Sequence, residues 1–363
     1  MKILNIRTVE VNIPLITPFK TALRTVNSVN DILVCIETDE GEGYGEAPPT
    51  AVITGDTKGS IKCAVEEFIA PSIIGMEITD LESIDEIMKV VNASIVKNTS
   101  AKAAVDMALY DLCGKKNKMP LYRLLGGNKK EIETDVTISV NPIDEMVKDS
   151  VRAVEDGFRI LKVKVGKEGL KDVARIEAIR KAVGRDIKIR VDANQGWDRQ
   201  QSIRIIKTME DIGLDIDLVE QPVKAHAFED LYYITKNVNT KILADEAVFS
   251  PEDAERLIRY HAADYINIKL MKTGGINEAL KICRMCEKGN VECMIGCMLE
   301  SKISVSAAAH LAASQSVITM ADLDGPCLCS EDPYDGGPVF DGPKIIMPEE
   351  YGIGIVRIPQ FEC

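Results

Sequence analysis

The segment Ile160-Leu161-Lys162-Val163-Lys164-Val165 alternates two lysines with aliphatic residues and lies between polar stretches. Its apolar, partly β-branched composition predicts a β-strand. Side chains two positions apart on a strand share a face, so we expect Lys162 and Lys164 to point the same way. Taken alone, such a pair is most simply two solvated surface lysines. The regular pattern that follows favours another interpretation.

Strand-like apolar runs recur from residue 134 onward at a nearly constant spacing. They begin near Thr134, Arg159, Ile187, Ile216, Lys241, Tyr265, Val291 and Ile318. Successive starts lie 24 to 29 residues apart, which is room for one strand and one helix. The helical patterns between them include Leu170–Val183, Gln200–Ile212, Pro251–His261 and Ile276–Lys288. Eight such units predict a closed parallel (β/α) barrel, although the last strand is followed by the loop Asp335–Pro338 instead of a full helix.

The first 126 residues have a different pattern, which predicts an α+β domain. Strand-like runs cover residues 3–13, 31–38 and 43–47, and we expect the segment Thr17–Arg24 to be a long connecting loop that could bind a ligand. A second candidate loop is Thr50–Gly55. Helical patterns follow over residues 59–126, including a helix that we expect to begin at Ser100 and to end at Gly114.

Composition excludes several classes of protein. The 363 residues are 45% hydrophobic and 28% charged, which is typical of a globular protein with one large domain or two. The net charge of −13 argues against nucleic acid as a partner, because binding it needs a basic face. No run of about 18 apolar residues is present, so we expect no membrane span.

The ten cysteines do not by themselves indicate disulfides. The N-terminus lacks the apolar stretch of a signal peptide, so we expect reduced thiols and a cytoplasmic location. A zinc site would need Cys283, Cys286, Cys293 and Cys297. We disfavour it, because the first two fall in a helical pattern and the others lie on or just past a strand.

Charged and amide residues stand at the ends of six of the eight barrel strands, where the active sites of such barrels lie. They are Lys162 and Lys164, Asp192 and Asn194, Glu220, Asp245 and Glu246, Asn267 and Lys269, and Asp322 and Asp324. The carboxylates of Asp192, Glu220 and Asp245 come from adjacent strands and repel one another unless a cation lies between them. Oxygen ligands without nearby His or Cys favour Mg²⁺, or alternatively Mn²⁺. A salt-bridge network with the lysines is the other possibility.

Lys164 and Lys269 come from strands four apart in a ring of eight, so we expect them to face each other across the barrel mouth. Two amines on opposite sides of one carbon suit a 1,1-proton transfer, which is an epimerisation or racemisation. To act as a base, a lysine needs a pKa below its ordinary value of about 10.4, and Lys162 and a metal ion could both lower it. The charge of the resulting ene-diolate would be stabilised by the metal.

The far end of the expected ligand would meet the pair Asp322 and Asp324, which suits an ammonium group. Arg24, on the N-terminal loop, suits a second carboxylate. The predicted ligand therefore has a carboxylate next to an acidic α-carbon, an ammonium group and an acidic side chain.

The chain resembles the enolase superfamily in its muconate-lactonising-enzyme subgroup. The motif Lys162-x-Lys164, followed in order by Asp192, Glu220, Asp245 and Lys269, matches the subgroup. This resemblance implies a capping domain over 1–126, a modified (β/α)₇β TIM barrel over 127–326 and a segment over 327–363 that returns to the capping domain. It also implies one Mg²⁺ per subunit and a homo-oligomer.

Within that subgroup, Asp322-Leu323-Asp324-Gly325-Pro326 looks like the dipeptide epimerases. The resemblance implies that Lys164 and Lys269 are the acid/base pair, that Lys162 neutralises the substrate carboxylate and that the two aspartates hold the α-ammonium group. Further roles implied in this way concern the substrate side chains. Arg24 and Thr137 stand where L-Ala-D/L-Glu epimerases contact the glutamyl side chain, and Met298 stands where the family shapes its pocket. The preferred dipeptide stays open.

Three alternatives compete with this interpretation. Cycloisomerases, o-succinylbenzoate synthases and N-acylamino acid racemases of the same subgroup need no ammonium partner, which the Asp322 and Asp324 pair would provide. A racemase or dehydratase with a histidine base is disfavoured, because His226 lies past its strand end and His261 and His310 fall in helical stretches. A barrel that only binds an acidic metabolite has no need of two opposed lysines.

Overall fold

An antiparallel sheet and a separate hairpin form the N-terminal part of the computed structural model, which describes residues 1–21, 23–166 and 168–362. The strands are β1 (Ile3–Glu10), β2 (Ile13–Lys20), β3 (Thr25–Val29), β4 (Ile32–Thr38) and β5 (Gly41–Ala47). β4 lies between β1 and β5 and pairs antiparallel with both. The predicted antiparallel arrangement is confirmed.

The expectation that Thr17–Arg24 is a long loop is wrong. β2 extends to Lys20 and pairs with β3, so the first half of this stretch belongs to a strand. Pro18 lies within β2, although proline cannot donate to a ladder. Both strands of a two-stranded hairpin have a free edge, and the pairing passes from Pro14 to Phe19 through an irregularity.

Helices cover the N-terminal sheet. They are α1 (Lys58–Cys63), a π-helical segment (Ala64–Ile69), α2 (Ala70–Ile73), α3 (Leu81–Ser94), α4 (Thr99–Lys116) and α5 (Leu121–Leu124). α4 is longer than predicted: Ser100 lies inside its first turn, and Gly114 is buried within the helix instead of ending it. A Cβ atom at Gly114 would lie 2.6 Å from the Cα of Gly352, so glycine is needed here for close backbone approach.

A parallel sheet of eight strands follows a short strand β6 (Glu131–Glu133). Its strands are β7 (Val136–Ile138), β8 (Ile160–Lys164), β9 (Lys188–Asp192), β10 (Ile216–Glu220), β11 (Lys241–Ala244), β12 (Tyr265–Lys269), β13 (Cys293–Gly296) and β14 (Ile318–Asp322). They neighbour one another in chain order. The Asp135 N–H donates to Ala321 O at 3.2 Å, which brings the two ends of the sheet together. The eight-stranded parallel barrel is confirmed.

Helices connect successive barrel strands, and one short helix follows the last of them. They are α6 (Ile143–Glu155), α7 (Lys171–Val183), α8 (Arg199–Asp211), α9 (Phe228–Asn237), α10 (Pro251–Tyr260), α11 (Leu270–Thr273), α12 (Ile276–Gly289), α13 (Lys302–Ser314) and α14 (Gly325–Leu328). Local sequence fixes several of their starts: Asp198 accepts from the Gln201 N–H in a capping box. The last strand is followed by only the four-residue α14, as the sequence predicted.

The C-terminal segment lies against the N-terminal part of the chain. Its strands are β15 (Asp335–Gly336), β16 (Val339–Asp341), β17 (Lys344–Ile346) and β18 (Ile355–Arg357). β18 pairs with β15, so the predicted tail strand forms but joins neither N-terminal sheet. The segment instead contacts helices and side chains there: the Ile353 N–H donates to Asp111 Oδ1 at 2.9 Å, and the ring of Phe361 stacks on Tyr44.

A buried carboxylate joins the N-terminal part to the barrel. Glu46, at the end of β5, accepts hydrogen bonds from Ser301 and Ser304 at the start of α13. Such buried, charge-assisted bonds hold β5 over the C-terminal ends of the barrel strands.

Two expectations about the whole chain can be compared with the described residues. Within them, no helix is long and apolar enough to cross a bilayer. The nine cysteines of these ranges are free thiols, with Cys283 and Cys286 buried in α12 and Cys293 buried in β13. The tenth, Cys363, lies outside the described residues.

Candidate active site

Lys162 lies at the centre of a buried cluster of charges at the C-terminal ends of the barrel strands. Its Nζ is 2.6 Å from Asp322 Oδ2, 2.8 Å from Glu220 Oε2 and 3.2 Å from Asp192 Oδ2. Only 1% of the residue is exposed. Burial alone would lower the pKa of Lys162, but the three carboxylates raise it well above its ordinary value, so this amine is a fixed positive charge.

Lys164 and Lys269 approach one cavity from strands β8 and β12. Lys164 Nζ is 2.7 Å from Asp192 Oδ2, and Lys269 Nζ is 2.8 Å from Asp245 Oδ2. Their strands are separated by three others on one side of the barrel, which places the two amines on different walls of its mouth. Each lysine is therefore beside a carboxylate and within reach of the same ligand.

A cavity lies between these lysines. Its walls include seven of the eleven residues singled out from the sequence: Arg24, Thr137, Lys164, Lys269, Met298, Asp322 and Asp324. Val52 and Ile53, from the second predicted loop, also line it. The sequence therefore identified residues from seven separate segments that the fold brings to one cavity.

Asp192, Glu220 and Asp245 lie at neighbouring strand ends. The register of the sheet pairs Glu220 with Asp192 on one side and with Leu243, two residues before Asp245, on the other. Each carboxylate is at most 1% exposed. Burial and the nearby Asp192 raise the pKa of Glu220 to about 7, which reflects too little positive charge around it.

The charges and oxygen atoms present fit a divalent cation. Ten buried side chains belong to the cluster: the carboxylates Asp192, Glu220, Asp245, Glu246, Asp322 and Asp324, and the lysines Lys162, Lys164, Lys269 and Lys272. When all are ionised they leave two negative charges, which one Mg²⁺ would neutralise. Both carboxylate oxygens of Glu246, and Oδ1 of Asn194 and of Asn267, are buried without a hydrogen-bond partner. Hard oxygen donors of this kind suit Mg²⁺.

The three carboxylates are turned toward lysines in this arrangement. Within the described part of the chain, no group of three His, Cys, Asp or Glu side chains is already gathered as a set of metal ligands. The reason is visible at Lys162, whose ammonium group lies between Asp192 and Glu220. A bound cation would have to take the place of lysine contacts.

The pKa of Lys269 is shifted in the direction opposite to the one expected for a base. Burial lowers it, but the adjacent Asp245 raises it above the ordinary value. The expectation of a lowered pKa thus depends on a cation that competes for Asp245.

Asp324 and Thr137 are directly bonded. The Thr137 N–H donates to Asp324 Oδ2 at 2.7 Å, which leaves the rest of this carboxylate free to face the cavity. Burial and the neighbouring Asp322 raise the pKa of Asp324 to about 6. A cationic ligand group would relieve that repulsion.

Arg24 lies half-buried at the rim of the cavity, and its guanidinium group forms no ion pair with the described carboxylates. Burial lowers its pKa, and Asp31 partly offsets this effect. An unpaired, partly desolvated guanidinium is suited to bind an anionic side chain.

Sequence reasoning missed Lys272. This residue is fully buried in α11, and its Nζ lies 2.6 Å from Asp245 Oδ1 and 3.0 Å from Asn267 O. The available indication was its position three residues after Lys269, immediately before Thr273-Gly274-Gly275. Helical geometry at the end of a strand returns such a side chain toward the same site.

Comparison with known proteins agrees with this architecture. Residues 3–126 match the family model "Mandelate racemase / muconate lactonizing enzyme, N-terminal domain", and residues 145–358 match "Enolase C-terminal domain-like". The chain is 53% identical over 348 residues to the L-Ala-D/L-Glu epimerase of Clostridium acetobutylicum, covering 96% of each protein.

Two solved structures are also similar over nearly the whole chain. The substrate-liganded L-Ala-D/L-Glu epimerase of Bacillus subtilis has a TM-score of 0.95 at 46% identity, covering 98% of this chain and 99% of the other. The dipeptide epimerase of Enterococcus faecalis, complexed with Mg and L-Leu-L-Tyr, has a TM-score of 0.94 at 43% identity and covers 98% and 100%. With both family models matched along its length and these relatives beside it, the chain belongs to the mandelate racemase / muconate lactonizing enzyme family of the enolase superfamily.

Proposed function

We propose that this protein is a Mg²⁺-dependent dipeptide epimerase that inverts the α-carbon of the C-terminal residue of its substrate. It is an isomerase of the racemase and epimerase type, as its relatives are named. The observation that supports the reaction best is the placement of Lys164 and Lys269 on different walls of one cavity. Two amines that flank one C–H bond can remove a proton from one side and return it from the other.

The chain's own residues account for the proton transfers. With one epimer bound, Lys164 takes the α-proton and Lys269 donates a proton to the opposite face; with the other epimer the roles are exchanged. Loss of the α-proton turns the substrate carboxylate into an ene-diolate, and Lys162 supplies fixed positive charge to it. When bound by Asp192, Glu220 and Asp245, Mg²⁺ would add positive charge at the same carboxylate.

The residues Asp322 and Asp324 in the cavity wall indicate that the substrate is a peptide. Asp322 and Asp324 supply two carboxylates for an α-ammonium group, which N-acylated or unsaturated substrates lack. Arg24 and Thr137 favour a glutamyl side chain, and L-Ala-D/L-Glu is therefore our leading substrate. The relative from Clostridium acetobutylicum has the same specificity in its name.

A hydrophobic dipeptide is the second candidate, because much of the cavity wall is apolar. Phe19, Val52, Ile53, Met298 and Leu299 all line it. A relative from Enterococcus faecalis that is 44% identical is named a hydrophobic dipeptide epimerase.

The domain division proposed for this function is a capping domain over 1–126, the barrel over 127–326 and a returning segment over 327–363. The hairpin of β2 and β3 and the loop after β5 would then form the lid over the barrel mouth. We also propose a homo-oligomer, as the resemblance implies.

The decisive experiment incubates the Mg²⁺-loaded protein in D₂O with a library of L-Xaa-L-Xaa dipeptides and reads deuterium by mass spectrometry. Epimerised members gain one non-exchangeable deuterium at the α-carbon, and we expect L-Ala-L-Glu to lead, ahead of L-Leu-L-Tyr. A double Lys164→Ala, Lys269→Ala variant is the matched control. If no dipeptide gained deuterium, the proposed reaction would be wrong; if only hydrophobic members did, the second candidate would replace the first.

A further inference from the structure

Lys272 is a cation enclosed entirely by protein. Its side chain is 0% exposed, and its ammonium group meets Asp245 Oδ1 at 2.6 Å, Asn267 O at 3.0 Å and the backbone oxygen of Asp245. The ring of Phe249 lies 6.0 Å from Nζ. Lys272 is not among the residues that line the cavity.

Lys272 and Lys269 divide the two oxygens of Asp245 between them. Lys269 contacts Oδ2 from the cavity side, and Lys272 contacts Oδ1 from behind. The backbone of Asp245 is fixed as well, since its N–H donates to Gln221 Oε1 at 2.9 Å. Of the three candidate metal ligands, Asp245 is therefore the one with a lysine at each carboxylate oxygen, whereas both lysines at Asp192 contact its Oδ2.

Burying an ammonium group costs free energy, which an aliphatic side chain at the same position would not incur. Lys272 also bridges two strand ends, because its two backbone acceptors follow β11 and lie on β12. The bridge restricts the backbone position of Asp245, and the ion pair at Oδ1 opposes rotation of its carboxylate away from Lys272.

We propose that Lys272 is a positioning residue that fixes the Asp245 carboxylate for Mg²⁺. This role depends on the metal site of the proposed function. A positioning role and simple electrostatics predict opposite changes in Mg²⁺ affinity when Lys272 is replaced. Loss of a positive charge near the site would by itself strengthen Mg²⁺ binding, whereas loss of the contact that positions Asp245 weakens it.

The test measures Mg²⁺ binding to the metal-stripped protein by isothermal titration calorimetry for the wild type, Lys272→Met and Lys272→Gln. We expect affinity to fall about tenfold or more in both variants. Gln can still donate to the backbone carbonyls but cannot form the ion pair, so it remains informative if the Met variant does not fold.

Arg180→Met is the matched control. Arg180 is also buried, and it donates only to backbone oxygens of Leu214, Gly184, Ile187 and Asp215, which precede the strands at the opposite end of the barrel. We expect it to lower the melting temperature without changing Mg²⁺ affinity.

Unchanged or tighter Mg²⁺ binding in the Lys272 variants would overturn the positioning role while leaving the proposed epimerase intact. A wild-type protein that binds no Mg²⁺ would instead overturn the metal site itself, and the role of Lys272 with it.

Discussion

Lys162 Nζ lies 2.6 Å from Asp322 Oδ2, so an amine on the second barrel strand is paired with a carboxylate on the eighth. Under the proposed function these residues bind opposite ends of the substrate. A dipeptide is itself a zwitterion, and its carboxylate can replace Asp322 beside Lys162 while its ammonium group replaces Lys162 beside Asp322. Substrate binding would then exchange ion pairs without leaving a buried charge uncompensated.

Asp322→Asn should therefore lower kcat/KM for a free dipeptide by about 30-fold, since a buried charged partner is worth roughly 2 kcal/mol. The N-acetylated dipeptide lacks the ammonium group and should lose much less. Steady-state kinetics with both substrates measure the difference. Asp332→Asn, a change in an exposed carboxylate that pairs with Lys302, is the control. Equal losses for the two substrates would contradict the ammonium role.

Lys164→Ala and Lys269→Ala should each reduce epimerisation by at least about a thousandfold, because each removes the proton carrier of one face. Each variant should still exchange the α-proton of one epimer with D₂O, and the two variants should exchange opposite epimers. NMR of the α-proton in D₂O follows this directly. Lys171→Ala, in an exposed lysine that contacts Glu168, should leave both reactions unchanged. A variant that kept near-normal turnover would exclude its lysine from the two-base pair.

Removal of the metal should stop turnover while leaving the fold in place. The cluster has an excess of two negative charges when ionised, yet four of its six carboxylates also have lysine partners, so the metal-stripped protein should remain folded. We expect EDTA to abolish activity, Mg²⁺ to restore it and far-ultraviolet circular dichroism to stay the same. EDTA already saturated with Mg²⁺ is the control. Activity that is indifferent to EDTA would argue against a site at Asp192, Glu220 and Asp245.

His310 should make the fold sensitive to acid. It is fully buried in α13, its Nδ1 accepts from the Tyr122 N–H at 3.0 Å, and burial lowers its pKa from 6.5 to about 3. Between those pH values the unfolded chain binds a proton at this residue and the folded chain does not. The free energy of unfolding therefore falls as pH decreases through this range, by about 3 kcal/mol at pH 4.5 from this group alone.

His310→Gln should have a smaller free energy of unfolding than the wild type at pH 7. Between pH 7 and pH 4.5, however, its free energy of unfolding should fall by about 3 kcal/mol less than that of the wild type. Urea unfolding at the two pH values measures this, and all other titrating groups are common to both proteins. An equal decrease in the free energy of unfolding of the two proteins would show that His310 is not a buried neutral group.

The sequence was sufficient to predict the barrel and most residues of the candidate site. Parallel strands with crossover helices repeat at a fixed spacing, and the C-terminal ends of such strands meet at one face, so counting strands placed Lys164 opposite Lys269. The alternation within a strand then decided that Lys162 points the same way as Lys164. These deductions use only local periodicity and the closure of the sheet.

Only the tertiary structure decided how the charges are paired. The bond of Lys162 to Asp322, the enclosure of Lys272 behind Asp245 and the close approach of Gly114 to Gly352 join residues that are far apart along the chain or in separate elements. The sequence also did not predict the hairpin of β2 and β3. Its prolines are compatible with a strand at a free edge or an irregularity, and only the folded chain shows where those lie. Distances between side chains depend on how elements pack, and short-range sequence patterns contain no information about that packing.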